Sequence, residues 1–134
     1  MLSETKRIGT IGELAIAQDL LGQGWDVYTA LGDCTKVDII AVKDNLIQRH
    51  QVKTVLDSSS GAVTVAASKV ISRKKVWYNE NDFDYLSVYV ADRNQVAYVP
   101  MSEVFRHCLT LRFDPPKNGA DSIRLFSTYR HISS

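Results

Sequence analysis

The run from Val37 to Thr54, V-D-I-I-A-V-K-D-N-L-I-Q-R-H-Q-V-K-T, constrains this chain more than any other stretch. Two segments rich in Val, Ile and Leu, Val37–Val42 and Leu46–Thr54, flank the turn-forming triplet Lys43-Asp44-Asn45. A hairpin closing around Asp44 and Asn45 pairs Val42 with Ile47 and sets Asp38 opposite Gln51. Side chains alternate along a strand, so Gln51 and Lys53 share one face and His50 takes the other. A carboxylate, an amide oxygen and an ammonium then meet on one side of a small sheet. A slip of one residue in register would undo the arrangement.

Polar groups gathered among apolar neighbours are costly to bury without partners. A divalent cation satisfies them: Asp38 supplies charge and Gln51 a neutral oxygen. Mg²⁺, with Mn²⁺ as a substitute, takes oxygen ligands, keeps waters, and often uses one or two carboxylates plus substrate phosphates. Lys53 beside the ion would orient an attacking water or offset charge on a phosphate. The same residues also read as a solvated strand face, because short motifs recur by chance.

At 134 residues the chain suits one domain, 1–134, of ordinary globular composition, 45% hydrophobic and 23% charged. A net charge of +1 offers no global attraction to nucleic acid, so that argument must come from local clusters. Cys34 and Cys108 do not form a disulfide framework or a metal spacing and read as small apolar residues in a reducing compartment. His50, His107 and His131 are too scattered for zinc. No signal-type run or membrane-length stretch occurs, so the expectation is an intracellular, cytoplasmic protein with no membrane partner. Walker-type and G-x-G-x-x-G loops are lacking.

Ser3–Leu21 has helical spacing, with Ser3 as cap, Glu4 in the first turn, and Gly22 and Gly24 as the stop. Gly9 and Gly12 interrupt it. Glu13 lies on the edge of the apolar stripe, which suggests a second metal-site acid or a boundary glutamate reaching water. Trp25–Ala30 and Ala62–Ala67 read as strands. Ser68–Glu80 holds the densest basic cluster, Lys69, Arg73, Lys74 and Lys75, followed by Trp77 and Tyr78. It fits a phosphate-contacting loop or a short helix with Lys69 and Arg73 on one face, or a plain solvated surface. Asp82–Val90 and Gln95–Val99 form a hairpin. Ser102–Arg106 is a short helix capped by Ser102, Leu109–Phe113 an edge strand, Pro115–Gly119 a loop, and Ile123–Phe126 a last strand before a frayed tail.

The order of a helix with Glu, a strand with Asp and a strand with Gln-x-Lys resembles the PD-(D/E)XK nuclease superfamily. It is most similar to the small group I intron-associated homing endonucleases. The resemblance rests on G-x-x-G-E-L (Gly9–Leu14), G-W-D-V (Gly24–Val27), V-D-I-I-A (Val37–Ala41) and Q-V-K-T (Gln51–Thr54). Further on come D-F-D-Y-L-S-V-Y (Asp82–Tyr89), V-A-Y-V-P (Val96–Pro100) and P-P-K-N-G (Pro115–Gly119). The superfamily usually has Glu or Asp where Gln51 stands; the intron-associated branch uses Gln. The resemblance implies an α/β (α+β) fold with a central mixed sheet flanked by helices. It implies Asp38 as central metal ligand, Glu13 as helix-borne acid, Gln51 as metal or water ligand, and Lys53 as catalytic lysine. The implied activity is Mg²⁺-dependent hydrolysis of double-stranded DNA by a homodimer or homotetramer, encoded in an intron or phage. Two alternatives stay open: a Holliday-junction resolvase or restriction- or repair-type nuclease, and a non-catalytic DNA-binding module in which Gln51 marks a dead site.

Overall fold

The computed structural model describes residues 3–32, 35–104, 107–115 and 123–130. Cys34, His131, Phe105 to Arg106, most of the Pro115–Gly119 loop and the end of the tail lie outside them. Helix α1 (Glu4–Gly22) forms as the spacing predicts. The Ser3 hydroxyl accepts the Lys6 N–H at 3.3 Å, and Glu4 complements the positive helix start. Gly24, at φ +90°, turns the chain away.

The strands follow in order: β1 (Asp26–Thr29), β2 (Ile39–Lys43), β3 (Leu46–Val55), β4 (Ala62–Ala66), β5 (Ser68–Ile71), β6 (Lys74–Trp77), β7 (Tyr85–Val90), β8 (Gln95–Pro100) and β9 (Cys108–Arg112). The central sheet has the order β1-β2-β3-β7-β8. β3 and β7 run parallel and the other neighbours antiparallel, so the sheet is mixed as expected. Val42 pairs with Ile47 across Asp44 and Asn45, the register read from the sequence.

The two faces of this sheet have different jobs. Ile16 and Leu20 of α1 bury against Ile39, Ala41, Val52 and Tyr98. Leu86, Val88, Ala97 and Val99 point the other way and pack on Val63, Val65, Leu109 and Leu111 of the β4–β9 pair. Among the described residues α1 is the only α-helix, so the expected flanking helices are one helix and one small sheet. Gly12 is where α1 meets the central sheet most closely: a methyl there would overlap the Thr54 hydroxyl and come within 3.0 Å of Thr54 Cβ. Gly9 faces open space.

Several expectations need correction. Ser68–Glu80 is not a loop or helix but a β-ribbon, β5 and β6, with Ile71 paired to Lys74. Ser72 and Arg73 both take positive φ, 52° and 65°, which gives a primed turn that suits strand twist without any glycine. Lys69 and Arg73 therefore share no helix face. β7 begins at Tyr85 rather than Asp82, because Asn79–Asp82 closes a turn, the Asp82 N–H donating to the Asn79 carbonyl at 3.1 Å and the Asp82 carboxylate accepting the Asn79 N–H at 2.8 Å; the Asp84 carboxylate then takes the Arg49 N–H at 2.8 Å. The expected helix at Ser102 is a 3₁₀ turn, Met101–Glu103, that follows Pro100 with no side-chain cap. The expected last strand is one bridge, Leu125 to Arg112, before a 3₁₀ turn over Phe126–Tyr129. Cys108 is exposed, not a core residue.

His50 is structural, as its strand position implies. It is fully buried, bonded through Nδ1 to Ser87 Oγ at 2.8 Å and stacked on Tyr85. Burial pulls its pKa from 6.5 to about 4, against the pull of Asp84. The unfolded chain therefore takes up a proton first as pH falls. The stability this neutral ring contributes is complete above about 6.5 and is lost toward 4, roughly 3 kcal/mol in all. Urea unfolding across that window shows the loss in the wild type, and His50→Asn flattens it. In the same assay Gly12→Ala destabilises by about 1–3 kcal/mol through overpacking. Gly9→Ala stabilises by up to about 1 kcal/mol through helix propensity alone.

Candidate active site

β3 outruns its neighbour. Beyond His50 it continues from Gln51 to Val55 with β7 along one edge, while the last β2 pair is Ile39 with His50. Asp38 still donates its N–H to the His50 carbonyl, at 2.9 Å, although that residue already faces Ile39. The chain before β2 thus leaves the ladder. The freed Val52 N–H needs an acceptor, and Asp38 Oδ2 supplies it at 2.9 Å. Asp38 and Gln51 are near each other but are not a ladder pair.

The Asp38 side chain is 11% exposed, and its Oδ1 lies 3.6 Å from Lys69 Nζ. Burial pushes its carboxyl above the usual carboxylate range, against the Val52 N–H, Lys69 and Lys53, which pull it down. Lys53 reaches from β3 to donate to the Ser68 carbonyl at 2.6 Å, with its ammonium 5.3 Å from the Tyr78 ring centre. Burial holds Lys53 below the usual lysine range; Asp38 opposes that shift and Lys69 adds to it. The structure therefore brings Asp38 and Lys53 into one electrostatic cluster.

Gln51 is buried beside them on the Lys53 face, opposite α1. Its Nε2 donates to the Val52 carbonyl at 3.3 Å, and its Oε1 has no hydrogen-bond partner among the described residues. The hydroxyl of Tyr78, whose ring lies beside the Lys53 ammonium, is also buried without a partner; Thr54 Oγ1, likewise unpartnered, lies on the other face of the sheet against Gly12. Burial, then Asp38 and Asp82, push the Tyr78 phenol up, so it stays a protonated donor. Unmet buried oxygens and hydroxyls are expensive unless a ligand completes them.

Glu13 sits half-buried on α1, in the layer that covers the opposite sheet face. It follows Gly12, whose neighbour Thr54 belongs to the part of β3 that β2 no longer covers. Glu13 therefore flanks the end of the sheet where Asp38 lies, approaching from the other side. Among the described residues no three His, Cys, Asp or Glu groups form a metal cage. A hard cation here would instead rest on Asp38 and the Gln51 oxygen, completed by water and phosphate. The bare Gln51 Oε1 and the Asp38 Oδ1, which has only the Lys69 ammonium 3.6 Å away, fit such an ion.

The basic residues divide. Lys69 of β5 turns inward to Asp38 and also donates to the Thr35 carbonyl at 2.8 Å. Arg73, Lys74 and Lys75 are exposed at and after the ribbon turn. Lys75 Nζ sits 4.4 Å over the Trp77 ring, which lies 4.0 Å from His107. Sequence reading missed the place of Lys69 at the carboxylate, and the role of Tyr78 and the Ser68 carbonyl around Lys53. A groove of about 480 Å³ near Asp19, Tyr89 and Asn94 contains none of these residues.

The sequence matches the PD-(D/E)XK endonuclease family over residues 3–132. A solved bacterial homing endonuclease shares the fold, with a TM-score of 0.73 over 96% of this chain and 89% of the other, at 23% identity. No curated protein matches the sequence. No helix is long and apolar enough to cross a membrane, among the described residues.

Carboxyl-carbon NMR titration checks the electrostatics directly. Asp38 titrates above its ordinary 3.8. Lys53→Met or Lys69→Met moves it further up, because each removes a charge that holds it down; a downward move would contradict the cluster.

Proposed function

The chain belongs to the PD-(D/E)XK endonuclease family, and from that premise we propose that it is a metal-dependent, site-specific endonuclease that cuts double-stranded DNA. We read it further as a homing endonuclease of one nuclease domain. The observation that carries this reading is the pairing of a desolvated Asp38 carboxylate with the partnerless, buried Gln51 Oε1 beside Lys53. Such a donor set leaves most of a cation's positions to water and to the substrate phosphate.

Asp38 and Gln51 would hold Mg²⁺ or Mn²⁺, with Glu13 contributing from α1. When bound, that ion supplies Lewis acidity to the scissile phosphate and lowers the pKa of a bound water. Lys53 offers a fixed positive charge to the phosphate oxygens as negative charge builds on them, and it orients the attacking water. Its bond to the Ser68 carbonyl holds the ammonium in place before substrate arrives, so little reorganisation is needed during reaction. Low solvent access around Asp38 and Lys53 strengthens each of these charge interactions.

DNA would lie along the β5–β6 ribbon. A two-stranded ribbon fits the major groove, and Arg73, Lys74 and Lys75 can meet backbone phosphates beside it. The described residues of one chain carry one such cluster, so cutting both strands takes two or more copies, a homodimer or homotetramer on a roughly symmetric target.

Nicking of supercoiled plasmid with Mn²⁺ tests the reading. Asp38→Ala and Lys53→Ala each lose at least about a hundredfold in rate while gel-shift affinity for the plasmid DNA persists. Undiminished nicking by either variant refutes the assigned site. Binding without cleavage by the wild type on any DNA refutes the enzyme and favours a DNA-binding module.

A further inference from the structure

We propose that Lys69 is a resident stand-in for the metal ion: its ammonium neutralises Asp38 in the free protein, and a divalent cation must displace it to bind. This rests on the proposed reading of Asp38 and Gln51 as metal ligands.

The two carboxylate oxygens of Asp38 are not equivalent. Oδ2 is committed to the Val52 N–H, while Oδ1 faces Lys69 Nζ at 3.6 Å. That separation is longer than a charge-assisted hydrogen bond, typically about 2.7–2.9 Å. The ammonium is held near Oδ1 by charge, and its short bond, 2.8 Å, goes to the Thr35 carbonyl. Oδ1 is therefore compensated but not saturated, as an oxygen awaiting a closer cation would be.

A cation bound to Oδ1 would share this narrow space with Lys69. Like charges a few ångströms apart repel strongly where water is scarce, and the Asp38 side chain is only 11% exposed. Lys69, at 21% exposure, has a way out; Lys53 is anchored on the Ser68 carbonyl at 2.6 Å. Lys69 also belongs to the ribbon that carries Arg73, Lys74 and Lys75, so a DNA phosphate can receive the released ammonium. Lys69 thereby sets how much metal the free protein needs before its site fills. It acts on the reaction through Asp38 and is a positioning residue.

Calorimetric titration of the full chain with Mn²⁺ alone, without DNA, tests this. The wild type binds Mn²⁺ and Asp38→Ala abolishes the binding. Lys69→Met binds about tenfold tighter, since one competing charge is gone. Lys69→Gln, which keeps an N–H donor for the Thr35 carbonyl, does the same and serves if the Met variant does not fold. Lys69→Arg, which keeps the charge, binds as the wild type does. Equal or weaker affinity in both neutral variants, with Asp38-dependent binding intact in the wild type, overturns the stand-in role and leaves the nuclease reading standing. No Mn²⁺ binding by the wild type overturns both.

Discussion

The bond from the Val52 amide to the Asp38 carboxylate is the constraint from which the rest follows. Where β2 leaves the sheet, a backbone donor on β3 loses its ladder partner, and a side chain replaces it. That substitution draws a negative charge into a poorly solvated place. The charge in turn draws Lys69 and Lys53, one from the ribbon toward the sheet and one from the sheet toward the ribbon. A buried ionic cluster is a weak source of stability, because desolvation offsets much of the attraction. Its presence together with unmet polar atoms at the same spot is better explained by chemistry than by folding.

The sheet supports this by keeping its two faces apart in function. α1 seals one face through Ile16 and Leu20, and Gly12 lets it settle against Thr54. His50 fills the strand position next to Gln51 as a neutral, bonded core residue, so it adds no competing ligand. The other face carries Gln51 and Lys53 toward the β5–β6 ribbon. Rigid packing behind β3 fixes the side chains in front of it, which is what electrostatic preorganisation requires.

The central hairpin was legible because turn chemistry and apolar alternation agreed: Asp44 and Asn45 set the loop, and the Val42–Ile47 pair followed. The helix was legible from Ser3, its spacing and Gly24. The ribbon was not. Its turn uses Ser72 and Arg73 at positive φ, residues that carry no turn signal of the glycine or asparagine kind. The spacing of Lys69 and Arg73 matched a helix face by coincidence, while β-branched Val70, Ile71 and Val76 pointed to strands. Candidate residues Asp38, Gln51 and Lys53 could be placed together because one hairpin holds them. Lys69 and Tyr78 could not, since their contacts depend on how a second hairpin docks across the first. Glu13 is a candidate from its place on the stripe edge, but the helix approaches from the far side of the sheet, which no local spacing reveals.

Anomalous diffraction from crystals soaked in Mn²⁺ is the most direct measurement of the central claim. The expected result is an ion within about 2.0–2.6 Å of both Asp38 and Gln51 Oε1, with the Lys69 ammonium moved away from the carboxylate. An ion bound elsewhere, or Gln51 Oε1 left outside coordinating distance with Lys69 still on Asp38, would contradict it.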